Sequence, residues 1–194
     1  MTTRVFLRSR VVGLRAGLPV LCSAALALLA PRAYAQDAEF RSTLTIAAGP
    51  TLPTGARHPF DNTGSMYFAA VAVGDDFSTV GLSLGYSVFG AGPFEDRGAS
   101  VTQFELRADC APLAPHKISP YVRLGAGAYG VDPDRSKFGP TSRLVGIATG
   151  VGIRWSPRWR WAATLVASYH FVPSRSTPTR HWAGLTLELM RWMD

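Results

Sequence analysis

From about residue 40 onward, large apolar residues recur at every second position over stretches of about ten residues, and each stretch ends in turn-forming residues. A period of two places alternate side chains on opposite faces of a strand. The clearest stretch is 79–88, where Val80, Leu82, Leu84, Tyr86 and Val88 share one face and Thr79, Gly81, Ser83, Gly85 and Ser87 the other. The same rhythm predicts strands near 40–49, 101–109, 120–130, 143–155, 160–171 and 182–192. Residues 65–74 are apolar on both parities, so a strand is predicted there without an assigned facing. Helical periodicity is absent, and Gly and Pro punctuate every segment.

This predicts eight strands. The segments after strands 1, 3, 5 and 7 (about 50–64, 89–99, 131–142 and 172–181) are long, polar and rich in Gly and Pro, whereas Asp75-Asp76 and Ser156-Pro157-Arg158 are short turns. Long connections at one end and short ones at the other are the pattern of transmembrane β-barrels, with the long loops external. The segment 110–118 is long for the turn side. In each clear strand the bulky face suits lipid, and the small or polar face suits a crowded barrel interior. Trp155, Trp159, Trp161, Trp182, Trp192, Phe89, Phe94, Tyr169 and Phe171 gather near predicted strand ends, where aromatic rings favour water–lipid boundaries.

The first 35 residues have a different character. Arg4, Arg8, Arg10 and Arg15 precede an apolar run from Leu18 to Ala30, and Ala33-Tyr34-Ala35 follows. A basic start, a short apolar core and an A-x-A site form a secretory signal peptide, with cleavage expected after Ala35. The apolar run falls short of the roughly 20 residues of a spanning helix. The segment carries five arginines, counting Arg32, and no acid, so the mature part holds 15 basic and 13 acidic residues against a whole-chain charge of +7. The excess basic charge therefore belongs to the leader and gives no reason to expect nucleic-acid binding. Only Cys110 remains after cleavage, which excludes an internal disulfide. Leu21 precedes Cys22, where a lipoprotein signal needs a small residue.

The runs Ser119-Pro-Tyr-Val-Arg-Leu-Gly-Ala-Gly-Ala-Tyr-Gly130 and Gly146-Ile-Ala-Thr-Gly-Val-Gly-Ile-Arg154, following a signal peptide, resemble the small outer-membrane β-barrel superfamily of OmpA-, OmpX- and OmpW-like domains. The resemblance spans the mature chain and rests on strand rhythm and Gly/aromatic placement. It implies an all-β, eight-stranded antiparallel up-and-down barrel over 36–194 in a bacterial outer membrane. It also implies contact with outer-membrane lipid and lipopolysaccharide, assembly by the barrel-assembly machinery, and a monomer. The last strand departs from the family pattern: Trp192 is followed by Met193-Asp194, and Arg191 falls on the apolar face of Leu185, Leu187 and Leu189. A bulge or a degenerate assembly signal is expected there.

No phosphate-binding loop, paired zinc spacing or Gly-x-Ser-x-Gly elbow is present, and His58, His116, His170 and His181 are scattered. Ser168-Tyr169-His170 reverses the His-x-Ser order that the lipid A deacylases among these barrels resemble, and no acid shares its strand. The expectation is a protein without catalysis, cofactor or metal. Glu105, Arg107, Arg123 and Glu188 fall on the non-lipid parity, where unpaired charges are costly, so an interior paired network is expected. The functional expectation is an outer-membrane barrel with a structural or surface-binding role and a packed polar interior. The alternatives are a narrow pore or hydrophobic-ligand channel, and then a lipid-modifying enzyme. Arg57, His58, Asp61, Glu95, Asp96, Arg97, Asp132, Asp134, Arg135, Lys137, Arg175 and Arg180 are expected on the external loops.

Overall fold

A computed structural model describes residues 40–54, 62–90, 98–112, 117–132, 142–158, 160–173 and 179–193. The expected signal peptide and the central residues of the long connections lie outside the described residues. The barrel belongs to the compact unit Ala38–Asp194. Its strands are β1 (Arg41–Pro53), β2 (Gly64–Gly74), β3 (Ser78–Phe89), β4 (Ser100–Cys110), β5 (Ile118–Asp132), β6 (Ser142–Arg158), β7 (Trp161–Val172) and β8 (Arg180–Met193). Each pairs antiparallel with its chain neighbour, and β8 closes on β1 with Ile46 opposite Leu189. Closure matters because it leaves no strand edge with unpaired amides, the condition for crossing a hydrocarbon layer. Among the described residues no helix is long and apolar enough to cross a membrane.

The two-residue alternation sorts side chains as expected. Leu44, Ile46, Leu82, Leu84, Phe104, Leu106, Val151, Ile153, Leu165, Leu185 and Leu187 are exposed on the outer surface, while Thr43, Thr45, Ser83, Arg123, Thr164, Thr186 and Glu188 are buried inside. An exposed apolar band of this extent is foreign to a water-facing surface and matches a lipid-facing one. The structure also settles the facing of β2. Met66, Ala70 and Ala72 point inward, and Tyr67, Val71 and Val73 outward. Sequence could not decide this because the inward face of β2 is apolar too, packing over the interior charges instead of joining them.

Several boundaries move. β1 runs to Pro53 instead of stopping near Gly49, and β6 continues through Ser156 and Pro157 to Arg158, both expected as connections. Pro157 lacks an amide hydrogen and cannot hold a regular ladder position. The ladder answers with a register shift between Trp155 and Arg158, which leaves Ser156 and Pro157 opposite Ala162 alone. Asp132, Arg180 and His181 lie in strands rather than loops, and Asp132 and Arg180 are buried. β8 contains no bulge: Arg191 and Trp192 hold unbroken register against β1 and β7, so Arg191 faces outward and Trp192 inward. At the β2–β3 turn Asp75 Oδ1 accepts the amides of Phe77 (2.9 Å) and Ser78 (2.7 Å), a side-chain mimic of a backbone turn that allows so short a connection.

The aromatic residues divide between two environments. Trp155, Trp161 and Tyr169 lie on the outer surface, but Phe89, Trp182 and Trp192 are buried in the interior. Proximity to a strand end alone did not separate a lipid girdle from an internal lid; parity does. Replacing Leu84, central on the outer face of β3, by Arg is expected to cost about 2–4 kcal/mol in reversible unfolding from lipid vesicles. The same change at exposed Val145, near the loop end of β6, is expected to cost about 1 kcal/mol or less. Equal costs at the two positions would contradict the lipid-facing band.

Candidate functional site: the interior charge cluster

Inward parity on β4, β5 and β8 brings Arg107, Asp109, Tyr121, Arg123 and Glu188 to one level of the lumen. Arg123 is the hub. Its Nε donates to Asp109 Oδ1 at 2.8 Å, and its Nη1 and Nη2 donate to Glu188 Oε1 and Oε2, both at 2.6 Å. Because β5 and β8 are separated by two strands on one side and four on the other, this two-pronged pair crosses the barrel. Arg107 donates from Nε to Asp109 Oδ2 at 2.9 Å and pairs with the same oxygen through Nη2. Its Nη2 also stands 3.8 Å from Glu188 Oε2. The Tyr121 hydroxyl accepts from both guanidinium groups, and Thr186 Oγ1 donates to Glu188 Oε1 at 3.4 Å. The Phe68 ring faces both Arg107 (5.3 Å) and Arg123 (5.2 Å). All four charged side chains are almost wholly buried.

Of the four residues expected to form the network, Arg107, Arg123 and Glu188 come together directly. Glu105 lies one layer toward the loop end, where the Tyr129 hydroxyl donates to its Oε1 and His170 Nδ1 stands 3.5 Å away. Sequence reasoning left Asp109 out of the set, although it shares the inward parity of Glu105 and Arg107; it accepts hydrogen bonds from both arginines. Tyr121, Tyr129 and His170 were equally legible by parity and passed over because they are not permanently charged. Arg154 is also interior, its guanidinium 4.8 Å above the Tyr121 ring. Among the described residues these three arginines face three carboxylates, Glu105, Asp109 and Glu188.

Both ends of the cluster are covered. At the loop end Phe89, Val101, Tyr129, Val131, Val172 and Trp182 form an apolar layer. Trp182 meets Phe89 and Tyr129 edge-on and stacks on His170 at 5.0 Å, which ties this layer to the polar core through Tyr129 and His170. At the turn end Ala162, Met190 and Trp192 pack together, and Arg41 covers Trp192 at 4.9 Å while pairing with Asp76 at 2.8 Å. Glycine makes room for the cluster: a Cβ on Gly125 would stand 3.2 Å from Glu105 Oε2, and one on Gly85 would strike the Gln103 side chain at 2.4 Å. Beside the cluster lies a cavity of about 20 Å³ whose lining includes Gln103, Arg107 and His170. Each of those three residues has a buried polar atom with no protein partner. That volume suits a water molecule and is far below the roughly 300–1,000 Å³ of small-molecule sites.

Ser168 and His170 both point into the barrel, and Ser168 Oγ donates to Gly184 O at 3.5 Å. At the loop-end rim, Thr54 Oγ1 (2.9 Å) and Tyr169 OH (3.0 Å) both lie on His181 Nδ1. Two hydroxyls sharing one ring nitrogen make a cross-strand clasp. Removing one partner of a buried ion pair strands the other, so Arg123→Met is expected to lower stability by about 3–5 kcal/mol. Arg123→Met combined with Glu188→Met is expected to cost less than the sum of the single changes. Denaturant unfolding from vesicles reads both, and strict additivity would contradict the cross-barrel pair.

No protein-family model matches the chain, and no curated protein sequence is similar to it. Solved structures do match. Neisserial surface protein A superposes with a TM-score of 0.59 at 11% identity, over 79% of this chain and 97% of that one. The N-terminal β-barrel domain of Pseudomonas aeruginosa OprF gives 0.49 at 15% identity over 78% and 99%, and the outer membrane enzyme PagL gives 0.49 at 15% over 78% and 99%. Identities this low speak to fold alone, and the first of these likenesses carries that statement. With the closed eight-strand topology, it gives the chain the fold of the small outer-membrane β-barrels.

Proposed function

We propose that the protein is an integral outer-membrane barrel whose lumen is a sealed structural core, and whose task lies on its surface: holding external loops at the cell face without conducting solutes or catalysing a reaction. The observation that carries this reading is the cross-barrel pairing of Arg123 with Glu188, capped on the loop-end side by the Trp182 layer. Each consumes space that a conduit would need. An eight-stranded barrel has an interior only just wide enough for its side chains, and here those side chains satisfy one another's charges across it. The long-loop end is then the external one and the short-turn end periplasmic, as barrels of this class are built. The loops are the natural place for lipopolysaccharide or partner contacts, because connecting segments on a rigid scaffold carry binding residues.

Two measurements test this. After separation of the envelope, the protein is expected in the carbonate-washed outer membrane, with a gel mobility that shifts on heating; recovery in the soluble periplasm would overturn the location. Reconstituted in planar bilayers, it is expected to stay silent at all applied voltages. Discrete conductance steps would overturn the sealed core and favour the pore reading.

A further inference from the structure

The unbroken register of β8 puts a guanidinium on the lipid-facing surface. Arg191 is exposed there, directly opposite Trp161 of β7 and between Leu44 of β1 and that ring. Its Cζ lies 5.4 Å from the centre of the Trp161 ring. Among the described residues no carboxylate lies within ion-pairing distance of it. Trp161 is paired on its other side with Arg158, so the ladder reads Arg158–Trp161–Arg191 across three strands. The β6–β7 turn is held against the end of β8 by the amide of Trp192 donating to the carbonyl of Arg160 at 3.0 Å, and this fixes exposed Arg160 at the same end. Trp155 and Met193 are exposed at the same end and add apolar surface there.

A lone arginine at the centre of a lipid-facing strand costs about 2–4 kcal/mol, falling toward zero only near the headgroups. Arg191 stands two residues from the short-turn end of β8, and barrel residues this near a strand end lie close to the headgroup region. A planar guanidinium stacked on an indole is oriented for two-pronged contact with phosphate oxygens, and its aliphatic stem can lie along the apolar wall. We propose that this patch binds the phosphate of an anionic phospholipid headgroup in the leaflet facing the short-turn end. The inference rests on the outer-membrane reading, which makes that leaflet the periplasmic one. Arg191 thereby changes from an irregularity of the last strand into a lipid contact: the headgroup supplies the counter-charge that no described carboxylate gives it.

The test uses native mass spectrometry of the folded protein in detergent, titrated with dioleoyl-phosphatidylglycerol or dioleoyl-phosphatidylcholine. Wild type is expected to retain phosphatidylglycerol about fivefold better, the preference of roughly one arginine near a headgroup surface. Arg191→Gln is expected to abolish that preference, Arg191→Lys to keep part of it, and Trp161→Leu to weaken it by releasing the guanidinium. Arg143→Gln, which removes an exposed charge at the opposite rim, is expected to leave it intact. Equal retention of both lipids by wild type, or a preference unmoved by Arg191→Gln, or one lost equally with Arg143→Gln, would overturn the proposal. Heat-modifiable mobility, followed on every variant, separates a lost site from a lost fold. Failure of the protein to reach the outer membrane would instead strike the reading on which the inference rests.

Discussion

The structure depends on one guanidinium held between two carboxylates across a narrow lumen. Arg123 receives Asp109 from the adjacent strand and Glu188 from the far wall. Inside a closed barrel the polar residues cannot retreat to water, and each unpaired charge there would be expensive. The remaining interior follows from that constraint. Glycines and small residues on β5 and β6 leave room for the long side chains, Tyr121 and Thr186 occupy the remaining hydrogen-bonding positions, and Phe68 closes one side of both arginines. Buried ion pairs are not cheap stabilisers, but here the ions hold opposite walls at a fixed distance, which apolar packing would do less specifically.

The outer surface obeys the complementary constraint. Lipid asks for apolar side chains on the outward parity, and the strands supply them with few exceptions. At the rims the two requirements meet. Trp182 and Phe89 cap the lumen from within, while Trp155 and Trp161 stand outside. Arg191 is the exposed charge that the band tolerates in β8, and it does so beside an indole near the strand end. Interior and exterior are thus two readings of one alternation, and a one-residue slip anywhere would exchange them.

Most of this architecture was legible because the alternation is strict. Val80 to Val88 announces both faces of β3, and the long and short connections announce the topology. What was not legible has physical causes. The facing of β2 was hidden because its inward residues Met66, Ala70 and Ala72 are as apolar as its outward ones. The ends of β1 and β6 were misplaced because Pro50 and Pro157 look like turn residues, whereas a barrel strand can hold them, at Pro157 with a register shift. Trp192 looked out of step because a terminal aromatic was expected on the lipid face; it belongs to the inner layer with Met190. In the interior, parity identified Glu105, Arg107, Arg123 and Glu188, but only three-dimensional register shows that Asp109 joins the arginines and that Glu105 pairs with Tyr129 and His170 instead.

The central claim is that the lumen is locked by the Arg123–Glu188 pair in the membrane. The most direct measurement is a solid-state NMR distance experiment on the protein in lipid bilayers, with ¹⁵N-labelled arginine and ¹³C-labelled glutamate. Strong dipolar dephasing between the Arg123 Nη atoms and the Glu188 carboxyl carbon is predicted, in keeping with the 2.6 Å contacts at both oxygens. Dephasing absent at that pair, with Glu188 behaving as a hydrated carboxylate, would contradict the account.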